Sequence, residues 1–299
     1  MSASHNPNDI SAFTRVMSEC IPSLVAKSTV GLVASVNQFS RQIGSGTLLA
    51  IAEHRFVLTA AHVIRQASES GATLGISGTI DGLFITAKGT WALSEAAKTD
   101  GDENDIAIYE LTKDQCRRFA DDVFVRIGDV AFPSNVTHSY FVVSGFPSMW
   151  STSIGPSEPT VHAKMLQYGT IAFQGNAVAL PGFNPNYHFL LEASPDLMID
   201  HQGNETYFRT RTGHSASMPR DLGGISGCSV WVLGDLRKPL EKWMRDDARL
   251  VGVETSVYVQ SKAIKVTRWN AVTSLLYAAF PQVRPVLEMY ARQHESGST

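Results

Sequence analysis

Residues 56–64 read FVLTAAHVI, residues 104–111 read NDIAIYEL, and residues 223–231 read GGISGCSVW. Each joins one chemically able side chain, His62, Asp105 or Ser226, to an apolar, β-branched run of the kind that forms a strand. A serine hydroxyl becomes a nucleophile when a neighbouring base takes its proton and a carboxylate holds that base in one tautomer. The three segments supply one of each. Taken singly, each residue has an ordinary reading: a core histidine, an aspartate capping a turn, a turn serine. G-x-S-G alone arises often by chance, so the weight lies in the joint occurrence.

Outward from these segments the chain keeps a strand-rich texture. TVGLVASV, GSGTLLAIA, RFVLTA, GLFITAKGTWAL and DIAIYEL follow one another from Thr29, separated by Gly, Asn and Asp, and predict a first all-β unit over 29–125. SYFVVSGFP, VHAKMLQYGTIAFQG, YHFLLEASP, GCSVWVLG and RLVGVETSVYV predict a second over 126–265. The charged stretch at 234–249 reads as an exposed loop or short helix. Ile10, Phe13, Met17, Cys20 and Ile21 recur at helical spacing before Pro22, which gives a helical extension within 1–28. Trp269, Val272, Leu276, Ala279 and Phe280 do the same before Pro281, giving a C-terminal helix and tail over 266–299.

The 299 residues are 43% hydrophobic and 18% charged, as in packed globular domains. A formal charge of −3, with no Lys/Arg run among aromatics, predicts no nucleic-acid partner. Cys20, Cys116 and Cys228 are an odd set without C-x-x-C spacing, so neither a disulfide framework nor a structural metal is expected, and no cofactor motif is present. The first residues show no basic start followed by an apolar stretch, and no apolar run reaches membrane length. Reduced thiols, no signal and no span together predict a cytoplasmic protein without a membrane partner.

T-A-A-H at 59–62, D-I-A at 105–107 and G-x-S-G at 224–227, in the order His, Asp, Ser, resemble the trypsin-like (chymotrypsin-fold) serine proteases over roughly residues 29–280. The GSG at 44–46, before the strand leading to the histidine, fits that pattern. The resemblance implies an all-β fold of two six-stranded antiparallel β-barrels with a short N-terminal helix and a C-terminal helix. It implies His62, Asp105 and Ser226 as catalytic triad, and the backbone N–H groups of Gly224 and Ser226 as oxyanion hole. It places Thr255 behind the aspartate, where the family usually has a serine, and gives Ser256 and Val257 to an extended substrate. Six positions before the nucleophile it points to Arg220 as specificity residue, with Asp221 beside it. The implied activity is endopeptidase action on a protein or peptide substrate, open to a protein partner that activates or inhibits it.

Three departures bear on regulation. Ile225 stands where secreted relatives carry the aspartate that receives a freed N-terminus. Val63 and the sparse cysteines remove the usual disulfide beside the histidine, so the resemblance is closer to intracellular bacterial trypsin-like peptidases, and Cys228 replaces a small residue of the usual motif. Two other readings compete. GHSA at 213–216 resembles the start of an α/β-hydrolase nucleophile elbow but lacks the second glycine. A protease fold that binds peptides without cleaving them is the other.

Overall fold

The computed structural model describes residues 12, 15–17, 19–21, 25–37, 39–77, 84–95, 104–132, 139–153, 161–176, 180–193, 208–209, 215–216, 222–236 and 238–295. The chain is mostly β, built on two antiparallel sheets. The first comprises β1 (Thr29–Val36), β2 (Phe39–Ile51), β3 (His54–Ala60), β4 (Thr73–Ser77), β5 (Phe84–Thr86), β6 (Ala92–Leu93), β7 (Ile106–Glu110) and the short β8 (Val125–Arg126). Its order is β5-β4-β1-β2-β3-β7-β6, with β8 running parallel to β2. The stretch 84–93 pairs through β5 with one edge of this sheet and through β6 with the other. With β5 and β6 taken as one broken strand, the sheet closes into a six-stranded barrel.

The second sheet comprises β9 (Tyr140–Gly145), β12 (Leu166–Ile171), β13 (His188–Glu192), β16 (Ser229–Leu233), β17 (Ala248–Tyr258) and β18 (Ala263–Arg268), in the order β12-β9-β16-β17-β18-β13. Its edges meet just past the ends of β12 and β13. Ala172 bridges Leu191, Phe173 N donates to Leu190 O at 2.9 Å, and Thr170 Oγ1 donates to Glu192 O at 2.6 Å. Two small hairpins, β10 (Ser151–Ser153) with β11 (Val161–Ala163) and β14 (Phe208–Arg209) with β15 (Ser215–Ala216), complete the strands among the described residues.

The apolar runs are continuous because both faces of their strands are covered. In β3 and β7, Val57, Ala107 and Tyr109 fill the first barrel, while Phe56, Leu58, Ile106 and Ile108 face outward into a shared core. Phe141, Val143, Val230, Val251 and Ile264 fill the second barrel, and its outward Val142, Trp231, Leu250 and Val253 enter the same shared core. That third core is the seam between the barrels.

Helices close the seam from behind. α3 (Trp269–Ala279) contributes Trp269, Val272 and Leu276, and α4 (Arg284–Glu295) contributes Leu287. The N-terminal extension is helical at Ala12, Arg15, Val16, Met17 and Glu19. It buries Val16, Cys20, Ile21 and Val25 in the seam, so its buried face runs through Val16 as well as the expected Cys20 and Ile21. The expected Ile10 and Phe13 lie outside the described residues. The 234–249 stretch is not merely exposed: its 3-10 turns at Leu240–Lys242 and Arg245–Asp247 flank Trp243, which packs on the shared core with Leu236.

Candidate functional site

β3 ends at Ala60 and passes without a break into α1 (Ala61–Glu69), which sets His62 on the first helical turn. The first amides of a helix have no partner within it, and Ala60 offers no capping side chain. Asp105, at the entry to β7, supplies both missing acceptors: its carbonyl takes Ala61 N at 3.0 Å and its Oδ1 takes His62 N at 2.8 Å. Its other oxygen, Oδ2, lies 2.6 Å from His62 Nδ1. The aspartate therefore fixes the backbone and the ring of one histidine together, leaving Nε2 to face outward.

This double grip needs an unusual backbone. Asp105 has φ +45°, the left-handed region that short polar side chains tolerate best and that clusters at functional sites. The residue is buried, whereas about a third of the His62 side chain is exposed. Arg65, one turn along α1, brings its Nη1 to 4.0 Å from Asp105 Oδ1 and donates through Nη2 to Ser94 O. Sequence reading passed over Arg65, although its i+3 spacing from the histidine is a helical signal.

Ser226 arrives from the second barrel, in the turn before β16, and is bound to the first barrel by its backbone: Ser45 N donates to Ser226 O at 2.8 Å. A side chain at Gly44 would run into Val63 and come within 3.2 Å of Ser226 O, which places the serine against the helix that bears His62. Among the described residues the Ser226 hydroxyl has no hydrogen-bond partner. Apo sites commonly leave this contact open until substrate binds.

The turn from 222 to 228 is held peptide by peptide. Gly223 O accepts from Ser148 N at 2.7 Å, Gly224 O from Gln42 Nε2 and Ser45 Oγ at 3.0 Å each, and Ile225 O from Cys228 N at 2.8 Å. Ile225 N, Gly227 N and Cys228 N donate to Leu222 O, Glu254 O and Ile225 O. Of the amides from 224 to 228, only those of Gly224 and Ser226 lack an acceptor among the described residues. In a trans peptide the N–H points opposite the C=O. Anchoring the carbonyls of residues 223 and 225 therefore directs the two open amides the other way, as an anion-binding pair requires.

Glycine is required twice here. Gly224 has φ +90° and a side chain would strike Ser148 Oγ; Gly227 has φ +89° and a side chain would strike Thr59 Oγ1 and Ser45 O. Ile225 packs among Leu222, Cys228 and Val266 in the second barrel, and Cys228 is a buried thiol held neutral by desolvation.

Thr255 reaches the aspartate only at second hand. Its hydroxyl meets Thr267 Oγ1 at 3.1 Å, and Thr267 Oγ1 donates to Asn104 O at 2.8 Å. A bulge between Glu254 and Ser256 in the β17–β18 ladder makes Thr255 the extra residue and turns it toward β18 rather than toward Asp105. Ser256 and Val257 are half-buried. From Thr255 to Tyr258, β17 pairs with β18 on one side and with no strand on the other among the described residues. Arg220 and Asp221 lie outside the described residues.

One carboxyl near the site was not anticipated. Glu254 is fully buried, and apart from the nearby Ser256 amide neither of its oxygens meets a hydrogen-bond donor among the described residues. Burial, with the charge of Asp105 adding to it and Lys265 opposing, pushes this carboxyl up to about 8. Below that pH it is neutral, and Asp105 does not face a second buried anion. No group of metal-ligating side chains occurs among the described residues.

No protein-family model matches the chain, and no curated protein matches its sequence. Among solved structures, the chain is similar to the inactivated protease paralogue S-I1 of the scabies mite, with 17% identity over 87% of this chain and 96% of that one and a TM-score of 0.48. It is similar to the tobacco vein mottling virus protease, with 9% identity over 90% and 82% and a TM-score of 0.41. A thermostable serine protease, AL20, from an extremophilic microorganism gives 12% identity over 86% and 98% and a TM-score of 0.43.

Proposed function

We propose that this protein is a serine endopeptidase acting through an acyl-enzyme, with Ser226 as nucleophile, His62 as general base and then acid, and Asp105 as the group that orients the imidazole. The observation that carries this reading is the double grip of Asp105 on His62, at 2.6 and 2.8 Å, beside a serine turn in which, from residue 224 to 228, the amides of Gly224 and Ser226 alone lack an acceptor among the described residues. Asp105 keeps Nδ1 protonated, so Nε2 is the basic atom available to the Ser226 hydroxyl. Attack on a carbonyl creates an oxyanion for the two amides, and the imidazolium formed at His62 returns its proton to the leaving amine. An extended peptide adds to the open edge of β17 at Thr255–Tyr258 and is aligned by main-chain hydrogen bonds.

A tagged fluorophosphonate, which phosphonylates only an activated serine, tests the reading. Wild type labels at Ser226 and hydrolyses a peptide library, while Ser226→Ala does neither. The second reading, a peptide- or protein-binding module, is favoured by the Ser226 hydroxyl, which has no partner among the described residues. It predicts peptide binding by wild type with no labelling.

A further inference from the structure

Gln42 is nearly fully buried on β2, in the first barrel, yet its side chain serves the second. Its Nε2 shares two N–H groups among three carbonyl oxygens, Gly44 O at 2.8 Å, Phe146 O at 2.7 Å and Gly224 O at 3.0 Å. Three carbonyl oxygens converging on one carboxamide fix its orientation, because only the NH2 end can donate to them. Gly44 is on Gln42's own strand, β2, so that contact anchors the side chain locally, while Phe146 and Gly224 belong to two other segments, the turn after β9 and the 222–228 turn.

The two contacts outside β2 bear on the open amides. Phe146 begins the turn whose Ser148 N holds Gly223 O, and that contact aims Gly224 N. Gly224 O, the direct acceptor, belongs to the peptide between the two amide-bearing units. Ser45 works in parallel, donating through Oγ to Gly224 O at 3.0 Å and accepting from Phe146 N at 2.8 Å. No charge takes part. Ile225, inside the same turn, is buried among apolar side chains and offers none.

We propose that Gln42, with Ser45 as its second arm, is the positioning residue of the oxyanion site: a neutral clamp from the first barrel that holds the 222–228 turn in its amide-presenting form. The inference rests on the peptidase reading above. Gln42 does not touch the reacting atoms, so its effect lies in the transition state and not in the encounter with substrate. Without the clamp, Gly224, with its permissive backbone, is free to rotate its amide out of line.

The test is the rate of fluorophosphonate labelling of full-length protein, separated into a limiting rate kinact and an affinity KI, for wild type, Gln42→Met, Ser45→Ala and Ser226→Ala. Gln42→Met keeps the volume and removes the donors. The expected result is a kinact lower by about 100-fold, the cost typical of a lost oxyanion donor. KI stays within about threefold of wild type, and the pH midpoint of kinact is unchanged because the His62–Asp105 pair is untouched. A merely structural role would lower the melting temperature and leave kinact of the folded fraction as in wild type, and that result overturns the proposal. If Gln42→Met fails to fold, Ser45→Ala decides: a fall in kinact of about tenfold or more at constant KI upholds the clamp, and a smaller one overturns it. Wild type that does not label at Ser226 overturns the peptidase reading and the clamp with it. Wild type that labels while both variants match it overturns the clamp alone.

Discussion

Ser226 and His62 carry little of the packing: the histidine is partly exposed and the serine sits in a turn fixed by its backbone. Ser226→Ala and His62→Ala should therefore cost on the order of 10⁴-fold in hydrolysis or more, with melting temperatures close to wild type. Retention of a tenth of the activity by Ser226→Ala would point to another nucleophile. Glu254 makes a prediction of the opposite kind, in stability. An ordinary glutamate ionises near 4.5, and this one near 8. Between those values the folded protein keeps a proton that the unfolded chain has released, so unfolding free energy falls as pH rises through that window and levels off above it. The contribution at stake is roughly 5 kcal/mol, and Glu254→Gln should abolish this component. Urea unfolding at pH 5, 7 and 9 reads it; equal pH slopes for wild type and variant would mean that Glu254 is not protonated in the fold. His62, Asp105 and Ser226 stand out in the sequence as candidates because residue type and short motif coincide, and the His62–Asp105 contact is the part the structure brings together. Gln42, Arg65 and Glu254 were not, since their roles come from neighbours brought up by other strands.

Strands were legible where both faces are buried, because a run such as FVLTA cannot be anything exposed. The closure of the first barrel was not: it depends on 84–93 being one strand broken in the middle, which no local pattern announces. The second C-terminal helix, Arg284–Glu295, occupies the stretch expected to be tail, because Pro281 interrupts the helical spacing and the buried stripe through Leu287 and Tyr290 is narrow among charges. The 222–228 turn, whose two positive-φ residues fall on the glycines of the G-x-S-G motif, carries the third prediction. At Gly227 a methyl group meets Thr59 Oγ1 and Ser45 O and comes within 2.7 Å of Ala60 N, on a backbone at φ +89°. Gly227→Ala should cost about 2 kcal/mol or more and slow labelling at Ser226, since Thr59 and Ala60 lead directly into the helix of His62. A variant that melts with wild type and labels at its rate would show that the turn adapts freely.

At the scale of the molecule, the proposed peptidase reading makes the seam between the barrels the place where the 222–228 turn is set. Trypsin-like zymogens mature when a new α-ammonium pairs with a carboxylate beside the nucleophile, and a carboxylate left buried without it would be costly. Here that position is Ile225, buried by apolar packing worth roughly 1.5 to 3 kcal/mol. The turn is bonded to the first barrel through Gln42 and Ser45, contacts that exist as soon as the barrels meet. The described residues of the N-terminal extension belong to the core rather than to the 222–228 turn. Val16, Cys20, Ile21 and Val25 lie in the shared core with Trp231, Trp269 and Leu276, on the helical side of the seam. Cleaving it away would remove core, at a cost of about 1.5 to 3 kcal/mol for each large aliphatic exposed, and would assemble nothing at the turn. Full-length protein of confirmed intact mass should therefore label at Ser226 with near-unit stoichiometry, and a chain beginning at Thr29 should melt lower and label no faster. Labelling that appears only after cleavage upstream of Thr29 would mean that the extension restrains the site, and that burial of Ile225 does not set the turn.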